Sequence, residues 1–311
     1  MKIFKTSALA ILLVSLAACG GTADPKTGTL KLMANGEDFV REGFISEDGW
    51  SISFEAVYLN VESPTAYQVV EESQNALTIR HGGHPHEYIP EGSAHVALLG
   101  EYFLSLKQEA FEVGRDENAP IGNYNRLAFN VKKATTASQG LLAAYEGYSI
   151  VLAGTATKDS DTIDFLIKFD EEMSYSDCGP NEYAGVLAED GQAMAEMTFH
   201  FDHVFGDFDE GDPDPEDENT INYLAIGFGP FAELAQATTL DIDQAQLGEL
   251  LTGAVYLQLI DAVRTLGHSG AHIAGWPSCW PRCKVIIFQI VTLKVCPGTI
   301  SANDLSDNNE P

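Results

Sequence analysis

Apolar and polar residues alternate with a period of two through most of the first two thirds of the chain. Ile52 and Phe54 alternate with Ser51, Ser53 and Glu55, after which the apolar set shifts to Val57, Leu59 and Val61. Successive side chains of a strand point to opposite faces, so this shift predicts a bulge or a strand buried on both faces. Leu127, Phe129 and Val131 alternate with Ala128 and Asn130, and residues 150–153 form a short apolar run. Ile163, Phe165, Ile167 and Phe169 make a half-buried strand, and Ala195, Met197, Phe199 and Phe201 make another. Short strands with little helical period between them predict a mainly β chain, an antiparallel β-sandwich over residues 29–205. A short helix is expected near residues 137–145, where Gly140 weakens it.

The pattern changes after residue 205. Residues 206–220 form an acidic loop: Asp207, Asp209, Glu210, Asp212, Asp214, Glu216, Asp217 and Glu218 are unrelieved by any base. Pro213 and Pro215 exclude a regular helix or central strand there. Residues 221–300 read as a helical, cysteine-containing extension of the sandwich. Leu247, Leu250, Leu251, Ala254, Val255, Leu259, Ala262, Val263 and Leu266 fall at helical spacing, with Asp241 or Asp243 placed to cap the start and Gly267 to end it. A strand-length apolar segment lies between Lys284 and Lys294, and residues 301–311 read as a disordered tail.

Composition adds a constraint. The 311 residues carry 17 basic and 46 acidic side chains, a net charge of −29. Phosphates need a basic footprint, so nucleic acid is excluded as an expected partner. At 45% apolar and 10% aromatic the chain can bury a core. The N-terminus differs from the rest: Lys2 and Lys5 precede a short apolar stretch ending in Leu16, Ala17, Ala18, Cys19 and Gly20. This segment resembles the lipobox of bacterial lipoproteins. The resemblance implies that residues 1–18 are a signal peptide, that Cys19 carries the lipid, and that the protein is extracytoplasmic and membrane-anchored. Gly20 after the cysteine implies the outer membrane. Residues 19–28 have the composition of a flexible tether. No protein partner is specified.

The eight histidines are clustered. His81, His84 and His86 lie in a Gly- and Pro-rich loop beside Glu87, with His95 further on. His200 and His203 flank Asp202, and His268 and His272 form a third group. Clustered imidazoles with carboxylates suit zinc or another divalent transition metal. The expected ligands are therefore His81, His84, His86, His200, Asp202, His203, His268 and His272. In a continuing strand, His200 and Asp202 would share one face and His203 the other, with Phe199 and Phe201 in the core. An exposed hydrogen-bonded His200–Asp202 pair is the plainer alternative. The His-x-Asp-His run followed by His268 resembles part of the metallo-β-lactamase metal pattern, which implies a metal-dependent hydrolase. Thr198 stands where that pattern needs its first histidine. Residues 197–207 also resemble a segment of uncharacterised bacterial lipoproteins, with no activity attached. Calcium at the acidic run is the less favoured cofactor, because the EF-hand spacing fails at Gly211.

Beyond Cys19, Cys178, Cys279, Cys283 and Cys296 make an even set, expected as two disulfides in an exported protein with three connectivities open. His268, His272, Cys279 and Cys283 also have the residue types of a zinc site. Familiar catalytic motifs are missing, so no catalytic residue is assigned. The sequence predicts a lipid-anchored protein that binds a divalent metal through histidines. A structural or adhesive surface lipoprotein without metal is the alternative, and a metal-dependent hydrolase the second.

Overall fold

The structure is a computed structural model that describes residues 25–69, 89, 90, 92–179, 185–211, 221–269 and 284–286. It opens with β1 (Thr27–Asn35), α1 (Glu37–Glu42), β2 (Phe44–Ile45), β3 (Ser51–Tyr67), β4 (His95–Ala97) and β5 (Glu101–Ser105). β6 (Phe111–Pro120), β7 (Gly122–Asn123), β8 (Arg126–Val131), β9 (Ile150–Lys158), β10 (Asp161–Phe169) and β11 (Met173–Cys178) follow. Next come β12 (Val186–Leu187), β13 (Gln192–Phe199), α2 (Asp202–Phe205) and α3 (Gly229–Leu234). The last elements are β14 (Thr239–Asp243), α4 (Gln244–Leu250), α5 (Gly253–Arg264), β15 (Gly267–Ser269) and β16 (Lys284–Ile286).

The mainly β architecture is as expected. One sheet runs β14-β10-β9-β3-β8-β11-β16, with β2, β4 and β5 also paired to the long β3. A second runs β15-β13-β1-β6. The two share one hydrophobic core, in which Phe129 of β8 meets Phe199 of β13 edge-to-face at 5.6 Å. The phase shift read in β3 is a bulge: its register against β9 slips between Phe54 and Ala56.

The pairing is mostly antiparallel, with two parallel pairs, β1 with β13 and β10 with β14. Residues 221–269 hold the C-terminal helices and also add β14 and β15 to the sheets. Two expectations need correction. The expected long helix is two helices. Asp243 and Gln246 form a capping box that starts α4, and Thr252 caps α5 separately, its hydroxyl accepting from the Val255 amide. Residues 137–145 hold only a single 3-10 turn, Ala143–Tyr145. Cys178 is buried at the end of β11 and is disulfide-bonded. Cys19, Cys279, Cys283 and Cys296 lie outside the described residues, as does the apolar segment beyond Ile286.

Candidate metal centre

The centre forms where three strands end together. β1 and β13 lie side by side in parallel with Asn35 opposite Thr198, so Glu37 and His200 are each two residues past that pair. β15 runs antiparallel on the other side of β13, with Thr198 opposite His268, and the His200 amide donates to the Leu266 carbonyl at 3.0 Å. Pleating drives Ala195, Met197 and Phe199 into the core and turns Glu196 and Thr198 to the other face.

β13 stops at Phe199, and the chain turns at once into α2. That turn decides the site. A continuing strand would have sent His203 to the face opposite His200. The helical turn instead brings the ligand atoms of His200, Asp202 and His203 within 4.8 Å of one another, the one such group among the described residues. The imidazole rings lie 5.5 Å apart and nearly parallel. Gly206 ends α2 at φ 73°, where a Cβ would stand 2.6 Å from that of Glu47, so the site depends on a glycine there.

His200 and Asp202 are 2% and 0% exposed. The surface-pair alternative is thereby corrected: the strand end is roofed by neighbouring loops and α5. Neither carboxylate oxygen of Asp202 accepts a hydrogen bond of normal geometry. Burial pushes its pKa up to about 7. Its own amide and that of His203 oppose the rise, while the charges of Asp207 and Glu210 add to it. His203 is held from behind. The Thr265 hydroxyl donates its one proton to the Ala262 carbonyl at 2.8 Å, so it accepts from His203 Nδ1 at 3.0 Å. In the neutral ring this contact puts the proton on Nδ1, so Thr265 fixes the tautomer.

Sequence reasoning missed Glu37. It is 6% exposed, and its Oε2 lies 3.3 Å from His200 Nδ1, while Asp202 Oδ1 stands 3.9 Å from the same nitrogen. The contact joins the start of α1 to the residue that follows β13, and the local pattern around Glu37 carries no signal of it. Of the other expected ligands, His268 reaches the neighbourhood through its backbone register opposite Thr198. His95 is remote, exposed on β4 in the other sheet. His81, His84, His86 and His272 lie outside the described residues. The described start of the acidic run is tied down by buried Asn222, which bonds to the Asp207 amide and to the carbonyls of Asp207 and Gly211. It forms no metal-ligand group of its own among the described residues. Compared with family models, curated proteins and solved structures, the chain matches none, so its own geometry alone speaks to function.

Proposed function

We propose that this is an extracytoplasmic lipoprotein, anchored through Cys19, that binds a divalent transition metal at His200, Asp202 and His203. One observation carries the metal reading. Two imidazoles and a carboxylate converge at a buried point where the carboxylate oxygens of Asp202 accept no well-formed hydrogen bond. A carboxylate kept from water with only poorly aligned amide donors is costly in the fold, and a cation would supply what is missing. Nitrogen and oxygen donors of this kind suit zinc and its neighbours better than calcium, which wants six to eight oxygens. The surrounding acids Glu37, Glu196, Asp207 and Glu210 favour entry of a cation. The burial of His200 and Asp202 supports holding a metal over hydrolysis, because a catalytic metal keeps an open position for substrate.

The test is a titration of the chain with zinc and with calcium, about one unit above and one unit below the ordinary imidazole pKa of ~6.5. Zinc should bind at the higher pH, weaken at the lower as imidazoles take up protons, and be lost in His200→Ala. Binding indifferent to both the pH step and the substitution would remove His200 from the site. Binding of neither metal would favour the structural lipoprotein.

A further inference from the structure

We propose that Glu37 is the fourth ligand of this metal, making a set of two imidazoles and two carboxylates. The inference rests on the metal reading just given, and three independent features carry it.

Distance comes first. Bonds of about 2.0–2.1 Å at tetrahedral angles put ligand atoms roughly 3.3–3.4 Å apart. Glu37 Oε2 lies 3.3 Å from His200 Nδ1, the edge length of such a polyhedron. Asp202 Oδ1, at 3.9 Å from the same nitrogen, needs a small inward movement to match. Glu37 stands outside the trio whose ligand atoms are all mutually close and joins it through His200.

Charge comes second. The centre is buried, and a buried centre is cheapest when its charges cancel. Two neutral imidazoles, Asp202 and a divalent metal leave one positive charge. Glu37 brings the sum to zero, whereas without the metal the same two carboxylates face each other's field across His200.

Backbone conformation comes third. Glu37 has φ 59°, in the left-handed region that a residue with a Cβ rarely adopts. Its amide is pinned by Asn35 Oδ1 at 2.8 Å, and Arg41 donates to the same oxygen at 2.7 Å. The preceding Gly36 cannot take over the carboxylate, since a Cβ there would stand 2.9 Å from Val40 Cγ2 and 3.0 Å from Leu106 Cβ. A non-glycine residue held in a strained conformation, with its carboxylate buried beside a histidine, is what a functional constraint leaves behind.

Two variants test this on the full chain, with zinc as the probe and cobalt as its spectroscopic substitute. Glu37→Gln keeps the shape and removes the anion. It should weaken zinc binding about 100-fold or more and alter the visible spectrum of the cobalt form. Glu37→Gly should weaken it comparably, while the metal-free protein melts at the wild-type temperature or higher, because glycine adopts this φ without strain. Loss of affinity in step with loss of metal-free stability in both variants would make Glu37 a structural residue and overturn the proposal. Wild-type affinity in Glu37→Gln, with binding lost in His200→Ala, would overturn it and leave the metal site standing. Failure of the wild-type chain to bind zinc would overturn both.

Discussion

At the scale of single residues, the proposed role of Asp202 in metal binding works against stability. Its folded-state pKa of about 7 lies above the ordinary 3.8, with burial as the main cause. Between those values the folded chain holds a proton that the unfolded chain has released. The contribution of Asp202 to metal-free stability is therefore greatest at or below about pH 4, declines as the pH rises toward 7, and levels off above it. Asp202→Asn removes the ionisable group. Thermal melts of the metal-free variant should show a gain on the order of 2–4 kcal/mol at pH 8 and little change at pH 4. The same variant should lose most of its zinc affinity. A variant less stable than wild type at pH 8 would show that the carboxylate serves the fold and not a cation. The sequence made His200, Asp202 and His203 visible as a cluster because they are adjacent along the chain. It could not show that they are buried, since burial depends on what roofs the strand end. Glu37 was illegible for a related reason: one acid among 46 stands out only when the fold sets it beside His200.

At the scale of elements, period-two patterning was enough to find β3, β8, β10 and β13, and even the bulge in β3, while a short apolar run marked β9. Where a strand buries one face, as β10 does, burial writes itself into alternate residues. Partner choice leaves no such trace, so the parallel pairing of β1 with β13 was not foreseen, although it is what brings Glu37 to His200. The break between α4 and α5 was hidden because both helices keep one apolar face across the interruption. Register also bears on the cysteines. β16 pairs antiparallel with β11, with Lys284 opposite Ser176, so Cys283 and Cys178 are each within two residues of that pair. Since Cys178 is disulfide-bonded, Cys283 is its expected partner and Cys279 is left for Cys296. Peptide mapping without reduction should recover a fragment joining Cys178 to Cys283. A fragment joining Cys178 to Cys279 or Cys296 would contradict that assignment.

At the scale of the whole molecule, acidity and attachment belong to one account. No helix among the described residues is long and apolar enough to cross a membrane, and the proposed tether is the lipid on Cys19. Cys19→Ser should abolish fatty-acid labelling and membrane fractionation in cells, and unchanged labelling would refute the anchor. With a net charge of −29, the protein favours cations at its surface, and the proposed centre beside Asp207 and Glu210 is where imidazoles would add selectivity for a transition metal. The most direct test of that claim is X-ray absorption at the zinc edge, on the full chain loaded with one equivalent of zinc. A shell of nitrogen and oxygen at about 2.0–2.2 Å, with an imidazole signature and no sulfur, is the predicted result. Sulfur at about 2.3 Å would place the metal on the cysteines beside His268 and His272, and would contradict the assignment to His200, Asp202 and His203.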